Sequence, residues 1–270
     1  MIALWASLAL LLRPFVRTKG SPLGVLFLAS LLPEMSLAAL TLLRFEDVSP
    51  STNYWGVFNL VFTAPFSHTL AGGLIYGPIL AWTVTFASGD VLTGATCLAL
   101  VLLHILSDAI YLRPPSTTGV SFYGPHWCGR LADFGFTTTA LELLLLFYAM
   151  EFYMARTVRT QGVVTANTKT RLLGLLTAIH LVYAVYKPST VMETRMFLYI
   201  MQPLLATAIV WAYRLDQTTT STTAGLSTKG ASPKKMVAEK QQQQQKPVVA
   251  SGVVVAEGLE PVSGSSGPEE

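Results

Sequence analysis

Apolar residues along this chain do not alternate with polar ones; they run together. After a short apolar start, MIALWASLALLLRPF, six longer runs cover 22–43, 66–87, 91–112, 134–155, 172–187 and 196–213. A helix rises about 1.5 Å per residue, so about 20 apolar residues cross the hydrocarbon of a bilayer. Lipid offers no partners to backbone N–H and C=O groups, which makes helices the expected spanning elements. The period-2 alternation of a membrane barrel is absent from these runs. The pattern predicts an all-α fold: a polytopic membrane bundle of six or seven transmembrane helices spanning 22–213. The start, 1–21, holds roughly twelve apolar residues before Arg13, which is short for a span. It has neither the basic leader nor the small-residue cleavage site of a signal peptide, and is expected to be a retained helix, half-inserted or interfacial.

Composition agrees with the pattern. The chain is 51% hydrophobic and 12% charged, about half the charge of an ordinary soluble domain. No basic patch interleaved with aromatics suggests nucleic acid. The membrane's own lipids are the expected surroundings. Cys97 and Cys128 are too far apart and too few for a disulfide framework or zinc finger. Lys and Arg set an orientation. Alternate loops divide the 18 basic residues so that most fall on one face, with the N-terminal stretch, the loop around Arg156–Arg171 and the tail. That face is expected to be cytosolic, and the loops 45–65 and 113–133 lumenal or external. From 214 to 270 the chain turns to Thr, Ser, Gly and Lys, with a glutamine run at 241–245. Such a tail buries too little apolar surface to order itself. It is expected to be disordered and cytosolic, with a protein partner as its functional alternative.

Ionisable residues inside these runs need a reason, because each costs about 2.5–3.5 kcal/mol at the centre of a spanning helix. Counted from the non-cytosolic ends, Glu34, His68, His104, Asp108 and Glu142 fall roughly 3–14 Å deep at helical rise. Five groups on four helices thus share the outer half of the membrane. His104 and Asp108 stand at i and i+4, on one helix face. Imidazole and carboxylate suit a divalent metal, zinc first. His68 offers a third ligand, and Glu34 a fourth ligand or a general base. With one position open, such a set suits an ion that activates water. The same residues also suit a second role, interhelical hydrogen-bonding that binds the bundle together, in which Glu142 pairs with a histidine. His180 is expected to be structural, and Glu151 to pair at the surface beside Arg156. In the loop after 112, Arg113 and Arg130 suit an anionic head group, and Tyr123, His126 and Trp127 an interfacial aromatic belt.

The order of the pieces LLPEMSLAALTLLRFEDV, PFSHTL and LHILSDAIYLRPP resembles a bacterial inner-membrane family of metal-dependent hydrolases. In that family a helix carrying LPD is followed by SHSL and HWLLDxxxHRPD elements. The similarity covers residues 31–156. It implies site roles for Glu34, His68, His104, Asp108 and Arg113. Glu34 stands for an aspartate, Leu112 for a second histidine and Pro115 for an aspartate, and no acidic residue between Tyr54 and Pro65 matches one usual in the family. Two functions are therefore expected: a metal-dependent hydrolase acting on a lipid or lipid-linked ester or phosphoester, or a non-enzymatic scaffold or transporter-like bundle with the polar cluster as glue.

Overall fold

A computed structural model describes residues 2–16, 22–50, 60–111, 135–157, 163–186 and 188–229. Among them are seven helices: α1 Ile2–Leu12, α2 Pro22–Leu42, α3 Leu70–Ser88, α4 Val91–Tyr111, α5 Gly135–Thr157, α6 Val163–Val185 and α7 Val191–Lys229. A two-stranded antiparallel pair, β1 Asp47–Pro50 and β2 Leu60–Thr63, joins α2 to α3, with Asp47 opposite Thr63. The chain divides into Met1–Leu226 and a second unit, Ser227–Glu270, of which only the end of α7 is described. The all-α bundle is as expected. The loops around Arg113 and Arg130, and the tail beyond 229, lie outside the described residues.

Five of the helices, α2, α3, α4, α5 and α7, are long and apolar enough to cross a membrane, rather than six or seven. The excess lay in α1 and α6. α6 begins nine residues before the expected 172, and its first turns carry Thr165, Asn167, Lys169 and Arg171, which dilute the apolar run. α7 continues past 213 to Lys229; no proline or glycine interrupts the backbone between Tyr213 and Gly225. Large apolar side chains stand exposed along the spanning helices, among them Ile75, Trp82 and Phe86 on α3, Leu141 and Leu144 on α5 and Ile200 on α7. So much exposed apolar surface suits lipid and not water.

α1 is not interfacial. Ile2, Ala3, Trp5, Ala6, Ala9 and Leu10 are buried, and the helix packs against α2, α4, α5 and α6. Its 11 residues rise about 16 Å, half the hydrocarbon thickness, so it enters the bundle from one end and stops inside. Its small residues Ala3, Ala6, Ser7 and Ala9 are all buried, which lets four neighbours close on it.

Buried polar contacts hold the outer end of α1. Asp216 of α7 is wholly buried; it receives Arg13 Nε at 3.0 Å, Tyr153 Oη at 3.0 Å and the Leu23 backbone N–H at 3.3 Å. The last contact satisfies one of the free N–H groups of the first turn of α2. One carboxylate thereby ties α1, α2, α5 and α7. α3 packs closely on α4 because Gly73 and Gly77 lie against Ile105, Leu98 and Val101, where any Cβ would collide.

α2 ends in a reversal. Phe45 N–H reaches back to the Leu40 carbonyl at 2.9 Å, with Arg44 in the left-handed region at φ 63°. This is a glycine-type cap carrying an arginine. It turns the chain so that β1 starts at once, with Val48 buried against Leu37, Ala64 and Leu198.

Replacing Asp216 by alanine is expected to lower stability by about 3–5 kcal/mol, because Arg13 is left buried without its counter-ion; thermal denaturation in detergent measures it. The paired change of Arg13→Met with Asp216→Leu should recover part of that loss. Arg44→Gly is expected to raise stability by about 1 kcal/mol, since glycine adopts positive φ without the side-chain penalty, and the same denaturation reads the gain.

Candidate metal-binding site

The four residues of the expected cluster come together. Glu34 lies on α2, His104 and Asp108 on α4, and all are buried with His68. His68 is not in the α3 span where the apolar run placed it. It sits on the turn before α3, because Thr69 is extended (φ −116°, ψ 153°) and its hydroxyl caps the helix at Gly72 N–H. That turn swings His68 over the side of α4.

Each imidazole has one nitrogen committed and the other aimed at the carboxylates. His104 Nδ1 stands 2.6 Å from the Ser30 carbonyl oxygen. A carbonyl only accepts, so Nδ1 carries a proton and Nε2 is the atom turned toward Asp108. Ser30 belongs to the turn of α2 before Pro33; the proline lacks the N–H that would bond the Ala29 carbonyl, and its ring loosens the turn in which Ser30 stands. The ring is held from its other face by Trp5, stacked at 3.6 Å between centroids and 15° between planes. Trp5 Nε1 donates to Ser107 Oγ at 2.8 Å, and Ser107 Oγ donates to the His104 carbonyl at 2.6 Å.

The second imidazole is set the same way by a residue that sequence reasoning missed. Ser67 Oγ donates to Glu46 Oε2 at 2.6 Å and lies 2.8 Å from His68 Nδ1. With its single proton on the carboxylate, the hydroxyl accepts from His68 Nδ1–H, and Nε2 is turned toward Asp108 and Glu34. Glu46 is itself pinned, its Oε1 accepting from the Phe66 and Ser67 backbone N–H groups at 2.7 and 2.6 Å. The Tyr76 hydroxyl donates to the Ser67 carbonyl at 2.6 Å.

Both Nε2 atoms converge on one oxygen. Asp108 Oδ2 lies 3.4 Å from His104 Nε2 and 3.5 Å from His68 Nε2, and Glu34 Oε1 lies 3.8 Å from His68 Nε2. One ligand atom from each of Glu34, His68 and His104 falls within 4.8 Å of the others. His104 Nε2 and Asp108 Oδ2 are buried without a hydrogen-bond partner among the described residues. These separations are too long for charge-assisted hydrogen bonds, which run about 2.7–2.9 Å. The two Asp108 distances match the edges of a tetrahedron of ligands about 2.0–2.2 Å from a central zinc, which are about 3.3–3.6 Å, and the Glu34 distance is longer. The chemistry of these donors suits a divalent ion, with Glu34 at the edge of the set.

Glu142 does not join this group through the contacts seen; it faces His180 on α6, Oε2 to Nδ1 at 3.5 Å. Glu151 pairs with Lys169 rather than with Arg156, because the early start of α6 brings Lys169 alongside. Arg113 lies outside the described residues. The fold and this cluster define an integral membrane protein with a buried acid–histidine centre. Comparison with protein families, with characterised proteins and with solved structures finds no match.

Ser67→Ala is expected to weaken divalent-metal affinity 10–100-fold, the usual effect of removing a partner that orients a ligating histidine. Equilibrium competition with a metal chelator, on parent and variant at matched folding, measures the change.

Proposed function

We propose that this chain is an intramembrane metal-dependent hydrolase, related to the bacterial family its motifs resemble, acting on a lipid or lipid-linked ester or phosphoester. The observation that carries the reading is the approach of His104 Nε2, His68 Nε2 and Asp108 Oδ2 at distances suited to a shared ion. His68, His104 and Asp108 hold the ion, zinc first among divalent metals. When bound, it supplies Lewis-acid polarisation and activation of water. Glu34, at the edge of the set, takes the proton from the attacking water and returns it to the departing alcohol or phosphate oxygen. Ser30 and the Glu46–Ser67 pair hold the two rings with their lone pairs inward. Five helices long and apolar enough to cross a membrane support a reaction within the bilayer. In the proposed orientation the site opens toward the lumenal leaflet, the C-terminus is cytosolic, Arg113 steadies an anionic head group, and residues 214–270 meet a protein partner.

A second reading draws on the Trp5 stack and the Ser30 carbonyl, which join α1, α2 and α4 through His104. In it the cluster is helix-packing glue of a non-enzymatic scaffold or transporter-like protein.

Elemental analysis of detergent-purified protein separates the two. The hydrolase reading expects about one zinc or similar ion per chain, lost in His104→Ala. A metal-free parent, with His104→Ala lowering only thermal stability, would leave the glue.

A further inference from the structure

Tyr183 of α6 is 8% exposed, and its buried hydroxyl finds no hydrogen-bond partner among the described residues. A buried donor without an acceptor costs free energy, so native interiors leave few of them, and each calls for an explanation. The ring that carries this hydroxyl is held from two sides. Phe197 of α7 packs on it edge-on, at 4.9 Å between ring centroids. One turn earlier on the same face of α6, His180 meets Glu142 of α5, Nδ1 to Oε2 at 3.5 Å, and the Thr139 backbone. These contacts fix the rotation of α6 about its axis, and with it the side to which Tyr183 turns. The Glu34 carboxylate of α2 is within electrostatic reach of the hydroxyl, yet no hydrogen bond joins the two. Glu34 is the base of the proposed reaction. A reacting oxygen must stand close both to the base and to a donor that steadies its charge, and an idle donor near the base but out of contact with it leaves room for one.

We propose that Tyr183 is a further catalytic residue of this centre, its hydroxyl donating a hydrogen bond to the substrate oxygen on which negative charge gathers as water adds. The inference rests on the hydrolase reading. A phenol suits the task, because it offers one directed donor and brings no charge of its own into the interior. A donor already fixed in a water-poor site needs no reorganisation as the charge develops, which is where such groups act most strongly. The other residues of the cluster are poorly placed to do this. Nδ1 of His104 is given to the Ser30 carbonyl and Nδ1 of His68 to Ser67, and Glu34 and Asp108 are carboxylates. The phenol keeps its proton throughout. The bonds made and broken are those of the hydrolysis: water adds to the acyl or phosphoryl centre, its proton passes to Glu34 and then to the departing oxygen as the ester bond breaks. Both kinds of ester share the feature that Tyr183 meets, a tetrahedral oxyanion at the end of an apolar chain.

The test uses the full chain in detergent, incubated with zinc, and octylphosphonate as probe, a tetrahedral oxyanion on an apolar tail that hydrolysis does not consume. In isothermal titration the parent is expected to bind the probe and to lose it when zinc is chelated. Tyr183→Phe keeps the ring and its Phe197 contact and removes the hydroxyl alone. Its affinity for the probe should fall about 10–100-fold, the loss of a hydrogen bond to a charged group, with zinc content unchanged. Tyr186→Phe removes the hydroxyl of the other tyrosine packed on Phe197, which donates to the Glu193 carbonyl at 3.3 Å, and should match the parent in both measurements. Equal affinity in parent and Tyr183→Phe, with zinc in each, overturns the inference and leaves the hydrolase reading standing. So does a zinc-loaded parent that ignores the probe, or binds it equally well once stripped. Zinc lost from Tyr183→Phe together with the affinity would make the hydroxyl a support of the ligands and likewise overturn it. A parent that takes up no zinc sinks the hydrolase reading and this inference together.

Discussion

The structure depends on a short helix held at both ends. α1 enters the bundle for about half the membrane thickness and is covered by α2, α4, α5 and α6. Apolar contact alone would fix it poorly, because inside a membrane lipid tails compete equally well for an apolar face. Polar contacts supply the registry. At one end Arg13 meets the buried Asp216; at the other Trp5 stacks on His104 and donates to Ser107. Sliding α1 by one turn would break both sets at once. The helix therefore acts as a spacer that fixes where the imidazole of His104 stands relative to α2.

From that placement the direction of the site follows. A histidine in an apolar interior has two nitrogens to satisfy, and which one is left free decides what it can do. Here the outer nitrogen of each ring is taken by a group that accepts a proton: the Ser30 carbonyl for His104, and Ser67, backed by Glu46, for His68. Both Nε2 atoms are thus turned inward to the same carboxylate oxygen. The two devices come from unrelated local structure, one from a proline-loosened turn of α2 and the other from the reversal after Arg44. Their agreement in outcome gives the cluster its chemical sense.

Much of this could be read from residue order. The apolar runs marked α2, α3, α4, α5 and α7, and the i, i+4 spacing of His104 and Asp108 put both on one face. Depth counting put Glu34 and His68 in the same half of the membrane. Other parts depend on contacts that no local pattern carries. Glu46 lies outside every apolar run, 21 residues before Ser67, and its role appears only once the left-handed cap at Arg44 folds β1 back toward α3. Trp5 reads as an ordinary core residue because its partners are about a hundred positions away. The length of α1 left a half-inserted and an interfacial helix open, because length alone cannot distinguish a helix on the membrane from one wedged among others. The polar start of α6 lowered its apolar character without stopping the helix. The LPE sequence held a signal that went unused: a proline before an intramembrane glutamate opens backbone carbonyls to side chains of neighbouring helices.

The two polar groups of the interior differ in a way that bears on what each could hold. In the first, two lone-pair atoms, His104 Nε2 and Asp108 Oδ2, face each other with their outer partners already assigned. Two acceptors at that separation repel unless something positive lies between them, so the group calls for a cation or a proton. In the second, Glu142 Oε2 faces His180 Nδ1 at 3.5 Å and the Thr139 backbone meets the same ring. Both of those partners come from α5, so the contacts tie α6 to one neighbouring helix, the ordinary work of polar groups between helices. In the first, three separate elements turn their polar atoms toward one point. The distinction rests on where the hydrogen bonds run rather than on residue types, since both groups contain histidine and a carboxylate.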